Sequence, residues 1–227
     1  MAPCVASTVA LPPMMNLENK VVLLAGGSSS HLRAWSMVLA TQGARVFVAC
    51  PRSQVLDGVE EFAVVVRCDL TSVAGLDNLY DTVCSERGSL DVLLVGADTS
   101  ARCDGSDGGD NGSCFDLIFN RQTRGVFFAV QKGLRFLAKD ATLAVALPSG
   151  ENARVGSVGL AKTRAAIQSF LQTWRIELAR ADIDIRPLEH GGADLRWLIE
   201  RNAGSEADSP SVGESLHVPG HRAVLHA

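Results

Sequence analysis

Short, wholly apolar runs alternate along the chain with stretches in which apolar residues recur every three or four positions. Val21 to Ala25 is apolar without interruption, as in a strand covered on both faces of a parallel sheet. Arg45 to Cys50, Ala63 to Cys68, Asp91 to Gly96 and Ala141 to Leu147 predict four more strands, and Ile183 to Arg186 a short sixth. Between them the period changes. Leu32, Trp35, Val38 and Leu39 place a helix over Leu32 to Gln42, closed by Gly43. Val73, Leu76, Leu79, Tyr80 and Val83 place another over Ser72 to Glu86. Longer helical patterns run from Phe115 to Ala138 and from Ser157 to Arg180. Strands alternating with helices predict an α/β fold: a doubly wound parallel sheet of Rossmann type, layered α/β/α, with right-handed crossovers.

Some segments break this rhythm. Residues 1–16 read as a disordered leader rather than a signal peptide, because they lack a basic start and Pro12-Pro13 interrupts the apolar run. A single domain is expected over 17–227. Val55 to Glu61 is a weakly patterned link, Thr99 to Ser113 a loop rich in Gly, Asp and Ser, and Ala203 to Ser211 a polar irregular stretch.

Composition narrows the classes. The 227 residues are 47% hydrophobic and 20% charged, which excludes wholesale disorder. A net charge of -4 argues against a nucleic-acid partner, and no apolar run is long enough to span a membrane. Six cysteines without a C-x-x-C pair read as reduced thiols and point to the cytoplasm. Metal ligation finds no support. Asp104, Asp107 and Asp110 miss the spacing of a calcium loop. His217, His221 and His226 flank a Pro-Gly pair, with no cysteine or carboxylate to complete a ligand set.

Gly26-Gly27-Ser28-Ser29-Ser30 joins the first strand to the first helix. A glycine-rich turn there offers amide groups and a helix N-terminus to a pyrophosphate. Further along come Gly43-Ala44-Arg45-Val46, Cys68-Asp69-Leu70, Leu90 to Leu94, Phe115-Asp116, Thr123 to Phe127, Lys162 and Val212 to Val218. In this order the chain resembles the short-chain dehydrogenase/reductase family from Leu17 to Val218. The resemblance implies a Rossmann-type fold, a nicotinamide dinucleotide, a small-molecule substrate, and a homodimer or homotetramer built through the two long helices. It also implies site residues. Gly26, Ser28, Ser29 and Gly96 would line the cofactor, Asp69 and Leu70 would hold the adenine, and Lys162 would bond the ribose. Gln122 stands where the family has its helix asparagine, Ser149 where it has its serine, and His190-Gly191 where it has Pro-Gly.

The chain also departs from the family. Ser30 and Leu32 replace two glycines of the turn, so dinucleotide binding is expected to be weakened or reshaped. Val95-Gly96-Ala97-Asp98 stands in place of Asn-Asn-Ala-Gly. Val158 occupies the place of the catalytic tyrosine, four residues before Lys162, and the only tyrosine is Tyr80. No acid ends the second strand; Arg52 and Ser53 there favour NADP over NAD. Three functions stay open. The leading expectation is a repurposed enzyme using Gln122, Ser149, Lys162 and His190 in a non-redox step such as cyclisation or isomerisation. The second is an NADP(H)-dependent oxidoreductase that needs no tyrosine, as in imine reduction, with Asp98 or Glu151 steadying the cation. The third is a non-catalytic partner of an active relative.

Overall fold

A computed structural model of the chain describes residues 17–85, 88–97, 116, 119–148, 157–188, 195 and 198, with only the backbone at 157–160. Among these residues six parallel strands form one sheet: β1 (Val21–Ala25), β2 (Arg45–Cys50), β3 (Val64–Arg67), β4 (Leu90–Gly96), β5 (Leu137–Ala146) and β6 (Asp184–Leu188). Their spatial order is β3-β2-β1-β4-β5-β6. The helices are α1 (Ser29–Thr41), α2 (Val73–Cys84), α3 (Gly125–Gly133) and α4 (Ser157–Glu177).

The uninterrupted apolar runs follow from burial on both faces. Val21, Leu23 and Ala25 of β1 join a core with Leu76, Leu79 and Tyr80 of α2, Val126 of α3 and Trp174 of α4. Val22 and Leu24, pointing the other way, join a second core with Leu32, Trp35 and Leu39 of α1. Period-two alternation thus feeds two apolar layers, and no position of β1 is left for a polar side chain. At the opposite end from the β1–α1 turn, Asp91 accepts from the Val21 amide and from the Lys20 ammonium, each at 2.8 Å, and so ties the start of β1 to β4.

The pattern placed β1 and β2 at their observed bounds. At other elements the structure corrects it. The run from Phe115 to Ala138 is not one helix. Among the described residues a π-helical turn, Phe119–Arg124, leads into α3, and a 3-10 turn, Leu134–Phe136, ends it. β5 then starts at Leu137, four residues before the expected Ala141. Leu137 pairs with Leu90, and the register shifts before Val92 pairs with Thr142. Asp140, with φ 62°, absorbs that shift, so apolar spacing that reads as helix is spent on an irregular strand. α1 begins at Ser29 rather than Leu32, because the Ser28 hydroxyl caps it. α4 stops at Glu177, and β6 reaches Leu188, with Pro187 tolerated because β6 is the last strand of the described sheet. The expected leader and final strand lie outside the described residues. No helix among the described residues is long and apolar enough to cross a membrane.

Gly133 closes α3 where it meets the sheet. A methyl there would stand 2.7 Å from Leu93 Cδ2 and 2.7 Å from the Tyr80 hydroxyl. Overpacking costs about 1–3 kcal/mol, and alanine's better helix propensity returns about 1. Gly133→Ala is therefore expected to lower stability by roughly 1 kcal/mol in urea unfolding; an unchanged midpoint would show that Leu93 and Tyr80 move aside.

Candidate functional site

The sheet order reverses between β1 and β4, the point at which folds of this kind hold a ligand beyond the carboxyl ends of the strands. The β1–α1 turn stands at this end of β1. Gly26 and Gly27 have φ of 72° and 100°, in the region that disfavours side chains. A methyl on Gly26 would lie 2.5 Å from the Gly96 carbonyl oxygen and 2.9 Å from Leu70 Cδ1. A methyl on Gly96 would lie 3.0 Å from Gly27 Cα. The turn thus rests backbone on backbone against the end of β4.

Ser28 begins α1. Its carbonyl accepts from the Leu32 amide at 3.0 Å, and its hydroxyl accepts from the His31 amide at 3.4 Å. That hydroxyl also lies 2.7 Å from His31 Nδ1 and 3.1 Å from Ser30 Oγ. The imidazole stacks on Trp35. The amides of Ser29 and Ser30 precede the first intrahelical bond and are the donors a helix N-terminus offers an anion. Leu32 does not crowd this end of the sheet. Its side chain is fully buried in the α1 core layer, so the bulk gained over glycine goes into the core.

The loop after β2 braces this turn. Gln54 Nε2 donates to the Gly27 carbonyl at 3.0 Å and to Ser29 Oγ at 3.3 Å, while Ser29 Oγ donates to the Val55 carbonyl at 2.8 Å. Arg67, at the end of β3, fastens the loop in turn. Its Nη1 donates to the Gln54 carbonyl at 2.7 Å, the Pro51 carbonyl at 3.4 Å and Cys50 Sγ at 3.3 Å. Sequence reasoning missed Gln54 and Arg67. The available signal was the position of Arg67, directly before Cys68-Asp69-Leu70.

The expected site residues divide into groups. Gly26, Ser28, Ser29, Gly96 and Leu70 come together around the turn, and Leu70 also lies under Gly125 at the start of α3. Asp69 is exposed, and its Oδ1 accepts from the amide and hydroxyl of Thr71, which closes a local turn. Arg52 is exposed in the turn after β2. Gln122 lies in the π-helical turn, buried, and among the described residues its Oε1 has no hydrogen-bond partner; neighbouring Thr123 Oγ1 has none there either. Such turns recur at functional sites, and α4 packs against this one. Lys162 is exposed on α4. Ser149, His190, Asp98 and Glu151 lie outside the described residues, as does the side chain of Val158.

Tyr80 takes no part. It is fully buried, donates to the Ala129 carbonyl and stacks on Phe136. Burial pushes its ionisation far upward. Burial likewise raises the thiols of Cys50 and Cys84, and with Asp69 and Cys50 nearby it pushes Cys68 up to about 11.

Residues 20–203 match the model of the short chain dehydrogenase family. The chain belongs to that family. The oxidoreductase asL5 of Sarocladium schorii is 26% identical over 182 residues, covering 77% of this chain and 72% of that one. An uncharacterized oxidoreductase of Staphylococcus epidermidis is 24% identical, covering 80% and 81%. In fold the chain is similar to a short chain dehydrogenase from Burkholderia cenocepacia solved in complex with NADP. That likeness has a TM-score of 0.64 at 24% identity and covers 77% of this chain and 74% of the other. A short-chain dehydrogenase/reductase from Serratia marcescens gives a TM-score of 0.62 at 20% identity, covering 76% and 74%. This member of the short-chain dehydrogenase family thus carries a parallel α/β sheet whose β1–α1 turn is braced by Gln54.

A buried acceptor without a donor costs about 1–3 kcal/mol. Gln122→Met, close in size, is expected to raise the stability of the folded chain by on the order of 1 kcal/mol in chemical denaturation. A loss of stability instead would mean that Gln122 serves the fold. The thiols give a pH dependence. A buried thiol is protonated in the fold while its unfolded counterpart ionises from its ordinary value of 9.0, so the stabilisation is complete below that value. It is lost as pH rises through about 11. Denaturation midpoints should therefore fall on the alkaline side of pH 9, and at pH 8 native Cys50, Cys68 and Cys84 should resist alkylation until the chain unfolds. Rapid native labelling of Cys68, mapped by mass spectrometry, would contradict this.

Proposed function

We propose that this short-chain dehydrogenase is an NADP(H)-dependent oxidoreductase whose substrate accepts hydride without needing a proton from tyrosine, a cyclic imine in its iminium form. The observation that carries the reading is the backbone cradle. Gly26 and Gly27 close on Gly96 with no side chain between them, at the N-terminus of α1 and at the switch point of the sheet. Those residues fit a pyrophosphate by what they donate and by what they leave out. When bound, the dinucleotide supplies a hydride. The oxidoreductase kinship of the relatives favours this reading over a non-redox step, for which no observation among the described residues speaks.

The missing tyrosine defines the acceptor. Hydride added to a ketone leaves an alkoxide that must take a proton from a donor. Tyr80 is sealed in the core and bonded to Ala129, so it donates none. Hydride added to an iminium carbon forms one C–H bond, moves the C=N π pair onto nitrogen and ends at a neutral amine. No alkoxide forms and no proton is required. Within this proposal the Gln122 amide oxygen is an acceptor for an N–H of the cation, Lys162 is a ribose partner, and Asp98 or Glu151 balances the positive charge. Arg52, exposed in the turn after β2, is the partner of a 2′-phosphate in the same reading. Self-association through α3 and α4 belongs to the same reading, supported by the exposed apolar side chains of Phe119, in the turn before α3, and Ile176, on α4.

Calorimetric titration with NADPH, NADP and NAD, followed by NADPH consumption with cyclic imines and with ketones, tests the proposal. Expected are micromolar NADPH binding, turnover of imines and inert ketones. The reading is wrong if NADPH does not bind at millimolar concentration, or if it binds and no imine is reduced.

A further inference from the structure

We infer that the open edge of β3 is a self-association surface, on which a second copy of this chain pairs its own β3 antiparallel about a two-fold axis. The inference does not depend on the reading of the cofactor site. β3 ends the described sheet, and its one partner there is β2. The ladder between them fixes which backbone groups look outward. The Cys68 amide donates to the Cys50 carbonyl at 2.9 Å, so Cys68, Val66 and Val64 turn N–H and C=O towards β2. Val65 and Arg67, in between, turn theirs away from the sheet, and among the described residues no strand lies there to meet them.

This outward row is its own complement in charge. At one end Ala63 spends its amide on the Val59 carbonyl at 3.0 Å, which leaves its carbonyl. At the other, Asp69 spends its carbonyl on the Ser72 amide at 2.9 Å, which leaves its amide. Let two copies meet antiparallel with Val66 on the axis. Val65 and the partner's Arg67 then exchange both N–H···O=C bonds, and the Asp69 amide meets the partner's Ala63 carbonyl. Each contact occurs twice, and every positive N–H dipole faces a negative carbonyl. The groups left over, the Ala63 amide and the Asp69 carbonyl, are those already satisfied within the chain. Sliding the pair by two residues, Arg67 against the partner's Ala63, leaves the Arg67 carbonyl without a donor. The pattern therefore selects a second copy, in one register.

The side chains do not guard this edge. Natural sheet edges carry Lys, Pro or inward-pointing charge against such pairing. β6, at the other end of the described sheet, carries Pro187 and the Asp184–Arg186 ion pair. β3 reads Val64-Val65-Val66-Arg67, with neither lysine nor proline. Its one charge is drawn back over the sheet. Arg67 Nη1 donates to the Gln54 carbonyl at 2.7 Å and to Cys50 Sγ at 3.3 Å, both on the β2 side. That also keeps the two guanidinium groups of a pair apart. Val64 is exposed, as are Val55 and Val73 on either side of the strand in sequence. In the pairing Val64 comes opposite the partner's Cys68. The two Val66 residues face each other at the axis as a non-hydrogen-bonded pair, with Cα atoms about 4.5 Å apart.

A cysteine at the axis reads the pairing directly. Val66→Cys in the full chain, oxidised mildly at micromolar concentration, should give a covalent dimer on a non-reducing gel. Peptide mass mapping should place the link at residue 66, and the parent should give no such dimer. Val65→Pro removes an outward amide and spares the β2 ladder. Added to Val66→Cys it should abolish the covalent dimer; alone, it should weaken self-association in sedimentation by about tenfold or more. Val64→Lys gives the edge a guarding charge and should act likewise, and it decides the matter where the proline lowers the thermal midpoint. The inference is overturned if Val66→Cys gives no covalent dimer, whether its new thiol reacts with maleimide or is shielded by the rest of the chain. It is equally overturned if crosslinking persists at the same rate with either folded variant added, since the link would then come from chance collision.

Discussion

Backbone packed against backbone at the switch point is the constraint on which the rest of the site depends. Gly26 and Gly27 turn the chain from β1 into α1 directly on top of Gly96, with room for no Cβ on Gly26 and barely any on Gly96. Removing side chains from three positions lets the turn descend into the sheet and sets the first amides of α1 at the carboxyl end of β1. The same contact explains why Gly96 stands where the family has an asparagine. The turn is already filled by Gly27, and support comes from the other side, through Gln54. A chain with two fewer glycines in this turn is thus held by a side chain from the next loop, and that side chain is itself set by Arg67.

Much of this architecture was legible in the sequence, and the reason is burial. A strand covered on both faces must be apolar at every position, so β1 and β2 announce themselves. Helices α1 and α2 present one face to a core, and their spacing shows it. The stretch after β4 defeats the same logic. Between Phe119 and Leu137 the chain passes through a π turn, an α helix and a 3-10 turn, and then pairs Leu137 with Leu90. Its apolar residues satisfy helix and strand in succession, so their spacing carries no boundary. Gly133 marked the end of α3, but it acts through close contact with Leu93 and Tyr80, which no local pattern encodes.

The candidate site divides in the same way. The places of Gly26, Ser28 and Ser29 could be read because glycines followed by serines between a strand and a helix form a local pattern, and that of Gly96 because it ends the apolar run of β4. Those of Gln54 and Arg67 could not, because their roles are bonds to partners 13 to 27 residues away. Leu32 shows the opposite error. Judged by position alone it crowds the turn, yet the helix rotates it into the core beside Val22 and Leu24. Substituting a glycine is harmful only where the new side chain points at the ligand, and direction is a property of the fold.

Tyr80 brings fold and chemistry to one decision. A phenol can act as an acid near neutral pH only if something stabilises its anion. Here the surroundings do the reverse: burial raises its ionisation most, and Cys68 and Cys84 raise it further. Its hydroxyl is spent on a helix carbonyl between α2 and α3. The residue is therefore a structural strut, and no plausible rearrangement short of unfolding α2 would bring it to the switch point. Under the proposed function, a family scaffold with a pyrophosphate cradle but no phenol to offer would keep the means to place a hydride donor and lose the means to quench an alkoxide. The acceptor that suits such a site is one that begins positively charged and ends neutral. For that acceptor, on the same reading, what matters is not a proton donor but oriented lone pairs, and the buried amide oxygen of Gln122, without a donor among the described residues, is one of them.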